Sequence, residues 1–184
     1  MRVIVGCEFS QIVTMAFRKK GHEAYSCDII PCEDGHPEWH FQEDILGVLK
    51  REHFDLGIFH PPCTHLAVSG ARWFKDKLKE QTEALDFVRM LLNAPINRIC
   101  LENPISIIST RIRKPTQIIQ PYWFGDPYQK TTCLWLKNLP KLEPTNIVEG
   151  REQKCWRLPP SSDRWKKRSI TFQGIAEAMA IQWG

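Results

Sequence analysis

The chain has 184 residues, of which 42% are hydrophobic and 25% charged, with a formal net charge of +4. That composition suits one globular domain and excludes a coiled coil, a collagen-like repeat or a disordered tail. No run of about 18 apolar residues occurs and Glu8 closely follows the apolar stretch Val3-Ile4-Val5, so no membrane span or signal peptide is expected and the cytoplasm is the expected address.

In chain order, Arg2 to Cys7 reads as a short buried strand, Gln11 to Lys20 as a helix closed by Gly21, and Glu23 to Asp28 as a second strand. Together these form a βαβ unit. A third apolar piece ends near Asp44-Ile45, and a fourth strand runs from Phe54 to Phe59, stopped by His60-Pro61-Pro62 because proline cannot donate to a central ladder. Phe74, Leu78, Leu85, Val88 and Leu92 recur at helical spacing and predict an amphipathic helix over 74–92. A fifth strand, Arg98 to Glu102, breaks at Asn103-Pro104. Beyond Pro121 come an aromatic, proline-rich stretch and a strand at Thr132 to Leu136. A basic, proline-punctuated connector follows at about 140–169, and a closing helix at about 171–183. The alternation predicts a single α/β domain over 1–184: a mostly parallel sheet with helices on both faces and its chemistry at the carboxyl ends of the strands.

Every unusual residue cluster falls at those ends. Gly6-Cys7-Glu8-Phe9-Ser10 follows the first strand, and Asp28 ends the second, 22 residues after Gly6. A carboxylate at that distance suits the hydroxyls of a ribose. The absence of GxGxxG leaves little machinery for a pyrophosphate, so a single nucleoside without phosphate fits better than a dinucleotide. Cys63, in His60-Pro-Pro-Cys-Thr-His65, sits on a proline-braced loop and is a candidate nucleophile. Glu102 ends the neighbouring strand, where burial is expected to raise its pKa and suit it to proton donation or to a hydrogen bond with a ring nitrogen. The alternative roles are an inert buried thiol for Cys63 and, for Glu102, the cap of a nearby helix or a pairing with Arg111 or Arg113.

Seven cysteines without CxxC spacing predict free thiols. Cys27, Cys32, His36 and His40 match no standard zinc spacing, and no metal is expected there or at His60, Cys63 and His65. Charge is uneven: the stretch 151–169 alone carries +5, which leaves −1 for the rest. Arg164, Lys166, Lys167 and Arg168 cluster there, and Trp156 and Trp165 are interleaved with the basic residues, a combination that neutralises phosphates and stacks bases.

The ordered series Cys7-Glu-Phe-Ser10, Asp28, Glu43-Asp-Ile45, Pro61-Pro-Cys63, Glu102-Asn-Pro104 and Gly174-Ile-Ala-Glu-Ala-Met resembles the cytosine carbon-5 DNA methyltransferases, in a short, phage-associated branch, from Val3 to the C-terminus. The resemblance implies a Rossmann-like fold dependent on S-adenosylmethionine. It implies that Cys63 attacks carbon 6 of the pyrimidine and that Glu102 binds or protonates nitrogen 3. It places Cys7, Glu8, Phe9, Ser10, Asp28, Asp44 and Pro61 at the cofactor, with Asp28 on the ribose, Asp44 on the adenine amino group and Phe9 near the adenine. Larger members carry a glutamine followed by two alternating arginines. The nearest stretch here, Gln129 to Cys133, has neither arginine, and Arg111 or Arg113 are the candidate substitutes for contact with DNA. Two further readings stand beside this one: modification of another pyrimidine, as a free nucleotide or in single-stranded nucleic acid and possibly with folate, and a non-catalytic nucleic-acid-binding relative.

Overall fold

A computed structural model describes residues 1–33, 35–153 and 157–184. The first strand, β1 (Arg2–Gly6), leads through a tight turn into α1 (Ile12–Lys19) and then β2 (Glu23–Asp28), the βαβ unit expected. The short β3 (His40–Gln42) precedes α2 (Ile45–Arg51), a helix absent from the sequence reading. Its signals are nonetheless local. Asp44 is its N-cap, with Oδ1 accepting from the Leu46 amide at 2.9 Å, and Ile45, Val48 and Leu49 are buried on one face.

The strand β4 (Leu56–Phe59) gives way to the Cys63 loop, and α3 (Leu78–Leu92) begins four residues later than the periodicity predicts. Residues Val68–Asp76 form 3-10 turns instead, because this segment is held against the loop after β5 by the Ala67–Ser106 bridge and by the Val68 amide on the Ile105 carbonyl at 3.1 Å. Leu78 is consequently exposed, and Leu85, Val88 and Leu91 carry the buried stripe. Next come β5 (Arg98–Asn103), the single turn α4 (Ile108–Arg111), the edge strand β6 (Gln117–Ile119) and β7 (Thr132–Lys137). The connector contains a short helix, α5 (Arg164–Ser169), and the chain closes with α6 (Gln173–Trp183).

The strands form one seven-stranded sheet in the order β3-β2-β1-β4-β5-β7-β6, in which β7 runs antiparallel to both of its neighbours and the other pairings are parallel. Side chains alternate across it. Val3, Val5, Leu56, Ile58, Leu134 and Leu136 face α1 and α6, whereas Ile4, Phe59, Ile99, Leu101 and Trp135 face α2, α3 and α4. The sheet is thus buried on both faces, as its near-continuous apolar strands require. At Gly174 the closing helix comes so close to the chain that a Cβ would overlap the Phe124 carbonyl oxygen, and the Gly174 amide donates to Asp126 Oδ2 at 3.0 Å. No helix among the described residues is long and apolar enough to cross a membrane.

Candidate active site

Strand order reverses between β1 and β4, and the crevice of a sheet of this kind opens at the carboxyl ends on either side of that point. On the β1 side, Cys7 and Gln11 bracket the turn with φ of 60° and 58°, conformations that glycine ordinarily supplies. The glycine-poor sequence therefore builds a glycine-like turn. Gln11 is fully buried, and its Nε2 donates to Ser26 Oγ at 3.1 Å and to the His36 carbonyl at 3.0 Å, contacts that help offset the backbone cost.

Glu8 is also buried, and its carboxylate accepts from the Val13 amide (2.6 Å), the Thr14 amide (3.2 Å) and Thr14 Oγ1 (2.7 Å). It occupies the N-terminus of α1, the place at which dinucleotide-binding folds hold a pyrophosphate. Expected among the cofactor residues, it has both oxygens committed to the helix. Burial pushes its carboxyl up against the opposing effects of His60 and of the Thr14 and Val13 donors.

Phe9, Ser10 and Pro61 are buried in the walls beside the turn. Asp28 is half-buried at the end of β2 and accepts from the Ile30 amide at 3.3 Å, and burial raises its pKa. Asp44, expected at the adenine, is exposed and gives Oδ1 to the cap of α2, which leaves Oδ2 as the oxygen for a ligand. His40, one of the weighed metal ligands, has its ring nitrogens on Ser26 Oγ (2.8 Å) and the Ile30 carbonyl (2.9 Å). Among the described residues no group of three or more His, Cys, Asp or Glu is placed to hold a metal.

On the other side of the crevice, the β4 and β5 ends are fastened together. Phe59 pairs with Leu101, so the next residues, His60 and Glu102, are neighbours, and His60 Nδ1 lies 2.8 Å from Glu102 Oε2. Asn103 Nδ2 donates to the Pro61 carbonyl at 2.9 Å. The Leu66 and Ala67 amides close a turn on the Cys63 carbonyl at 3.0 and 2.9 Å, and the Ile107 amide donates to the Leu66 carbonyl at 2.9 Å. Cys63 is exposed at the top of this braced loop. Burial raises its thiol pKa and Glu102 adds to that, whereas Lys130 and Arg168 oppose it. For Glu102 the sequence expectation is reversed: burial does work to raise its carboxyl, but the His60 hydrogen bond, Lys130 and the His60 charge outweigh it and hold the group below the usual glutamate range. His60, Lys130 and Asn103 are thus site residues that the motifs alone did not reveal. His60 was weighed only as a metal ligand. Its signal is register, since residues that follow paired positions of parallel strands meet at the sheet edge.

The basic segment divides. The α5 helix lies by the turn after β1: Trp165 meets Phe9 edge to face with centroids 6.1 Å apart, and Lys166 Nζ is 2.9 Å from Glu33 Oε1 and 5.4 Å from the Phe9 ring centre. Lys167 pairs with Asp163 at 2.7 Å. Lys166 and Lys167, both expected as phosphate contacts, are therefore engaged within the chain. Arg168 is exposed and close enough for its charge to reach Cys63, and Lys130 Nζ donates to its carbonyl at 3.0 Å. Trp156 lies outside the described residues. Arg111 is exposed in α4, and Arg113 bonds the Leu136 carbonyl at 3.2 Å, toward the amino-end side of β5. The structure does not bring Arg113 to Cys63, because the chain runs back through α4 to start β6 parallel to β5.

No family model and no curated protein matches the chain. Among solved structures it is similar to a protein described as a candidate DNA modification methyltransferase encoded within a prophage (E. coli), at 15% sequence identity and a TM-score of 0.53 over 87% of this chain. The two share a Rossmann-like α/β fold with a mostly parallel sheet covered on both faces. The chain spans 55% of the length of that neighbour, and the likeness is one of fold.

Proposed function

We propose that the chain transfers a methyl group from S-adenosylmethionine to carbon 5 of cytosine in DNA, through a covalent adduct at Cys63. The observation that supports this best is an exposed thiol and a buried carboxylate on adjacent strand ends of a methyltransferase fold, joined by the His60–Glu102 and Asn103–Pro61 bonds. A binding module has no need of either group. DNA modification is also what the structural neighbour is described as doing.

The crevice suits a nucleoside that brings no phosphate to α1, because Glu8 already fills the anion position at that helix. The Cys7-to-Ser10 turn, Phe9 and Pro61 would hold such a ligand, with Asp28 for its ribose hydroxyls and Asp44 for its base edge. When bound, S-adenosylmethionine supplies an electrophilic methyl group. Cys63 forms a bond to carbon 6 once its thiol has lost a proton, a change that Lys130 and Arg168 favour. Negative charge then develops on the ring, and Glu102, whose protonated form is favoured once the pyrimidine displaces water from it, passes its proton to nitrogen 3. After carbon 5 has been alkylated, loss of its proton breaks the sulfur–carbon bond and frees Cys63. Arg168 and Lys130 are placed to meet a phosphate of the target nucleotide. Neutralising both should flatten the dependence of log affinity on log salt by about 1–2.

The deciding experiment incubates the protein with labelled S-adenosylmethionine and a panel of DNA, RNA and nucleotides, followed by mass analysis of the nucleosides. The expected product is 5-methylcytosine in DNA. DNA carrying 5-fluorocytosine should stall as an adduct at Cys63 that is absent from Cys63→Ala. Adduct formation on another cysteine, or methylation by Cys63→Ala, overturns the assignment.

A further inference from the structure

His60 has no part in the chemistry above, yet it is among the most constrained ionisable groups at this edge. Its side chain is 9% exposed, its backbone amide donates to the Gly6 carbonyl at 2.9 Å, and its Nδ1 lies 2.8 Å from Glu102 Oε2. Its Nε2 is buried without a hydrogen-bond partner among the described residues. With Glu102 ionised, the carboxylate can only accept, so the proton of the pair is on Nδ1. A buried ring with one nitrogen spent on a carboxylate and the other without a partner among the described residues is poorly explained as a packing residue, since an apolar side chain would leave nothing unpaired.

We propose that His60 is a positioning residue for Glu102: its Nδ1–H holds Oε2 and leaves Oε1 to serve the ring nitrogen of the pyrimidine. The consequence for catalysis rests on the cytosine reading above, whereas the hold on Glu102 does not. A pyrimidine over the site displaces water from Glu102 and favours its protonated form. When that proton passes from Oε1 to nitrogen 3, the O–H bond breaks, the N–H bond forms, and the charge left on the carboxylate meets a donor already in place. The Nδ1–H···Oε2 bond becomes charge-assisted as the proton leaves, so it strengthens along the reaction coordinate and aids the transition state more than the ground state. The other ionisable groups around the pair are Glu8 from the β1–α1 turn, Cys63 after β4, Cys100 on β5, and Lys130 and Cys133 at the start of β7. Of these, Lys130 is the one that joins His60 in favouring the ionised carboxyl.

The test is a carbon-13 carboxyl NMR titration of Glu102 in the full chain, paired with pH–rate profiles. The Glu102 midpoint should lie below the usual glutamate value in the wild type and rise by about one pH unit in His60→Ala. It should return toward the wild-type value in His60→Asn, whose amide supplies a donor near the Nδ1 position. His60→Gln, with its amide near the Nε2 position instead, should behave like the alanine variant and serves if alanine does not fold. In turnover, His60→Ala should lose about tenfold or more in kcat with little change in KM, and the alkaline limb of its profile should move up. An unchanged Glu102 midpoint in both His60→Ala and His60→Gln overturns the proposal. If the wild type neither methylates nor traps cytosine, the cytosine reading fails, and the titration still decides whether His60 holds Glu102.

Discussion

Glu8 and Glu102 are buried at the same edge of one sheet, 4% and 9% exposed, and their surroundings move them in opposite directions. Glu8 accepts three hydrogen bonds from the first turn of α1, and burial still lifts its carboxyl. Glu102 has His60 and Lys130 nearby and is held low despite its burial. The difference lies in what each carboxylate has left to give. Glu8 has spent both oxygens on a helix terminus and acts on the fold. Glu102 spends one oxygen on His60, and in the function proposed above its other oxygen serves the chemistry. Burial alone therefore does not mark a functional acid; in the proposed reading the mark is an uncommitted oxygen beside the exposed Cys63.

The sharpest way to break this contrast is to exchange the two effects. Glu102→Gln should slow turnover by about 10²–10⁴ while urea unfolding shows a folded chain, since it removes an acid–base group from a pre-built site. Glu8→Ala should instead lower the unfolding free energy by about 3 kcal/mol, because it leaves the Val13 and Thr14 donors unpaired in the interior. If Glu8→Ala unfolds at the wild-type urea midpoint, the division between fold and chemistry is wrong.

Stability against pH separates the two more finely. The contribution of Glu102, whose carboxyl is depressed, is present above the ordinary glutamate value and is lost as pH falls through its folded pKa. That of Glu8, whose carboxyl is raised, is present below the ordinary value and is lost as pH rises through its folded pKa. Urea unfolding across about pH 3–8 should therefore show a shallower loss toward acid in Glu102→Gln and a shallower loss toward neutral pH in Glu8→Ala.

Asp28, a third and only half-buried carboxylate, should behave like neither. Asp28→Ala is expected to weaken S-adenosylmethionine binding by about 1–3 kcal/mol by calorimetry, through unpaired polar ligand atoms. The smallest effect belongs to the turn itself. Cys7→Gly should raise stability by about 0.5–1 kcal/mol, because a left-handed φ of 60° strains a side-chain-bearing residue and suits glycine. A loss in that variant would show that the Cys7 side chain contributes more by packing than its backbone costs.

Most of the strands were legible because apolar runs such as Val3-Ile4-Val5 and Leu56-Gly-Ile-Phe59 end at proline or at polar turns. Cys63 and Glu102 were legible for the same reason, since both lie where a strand has to stop. The α2 helix was missed because its seven residues are too few for a full periodic stripe, although its Asp44 cap and the Ile45, Val48 and Leu49 spacing were in view. The edge strand β6, only three residues long, pairs with β7 alone and gave no alternation to read. The direction of the Glu102 shift could not be read from its own strand, because it depends on a register pairing that brings His60 alongside. The +5 charge of the 151–169 stretch was plain, but its division into ion-paired Lys166 and Lys167 and outward Arg168 is set by partners as distant in sequence as Glu33.

Arg98 begins β5 at the edge of the sheet opposite Cys63, and its guanidinium meets both the Trp183 carbonyl (3.1 Å) and Met1 Sδ (2.7 Å). Met1 and Trp183 are thus brought together around Arg98, with the length of the strands between them and Cys63. For protein engineering this geometry is convenient. A fluorescent label attached beside Met1 or Trp183 would stand clear of the crevice and report on its ligands without blocking it.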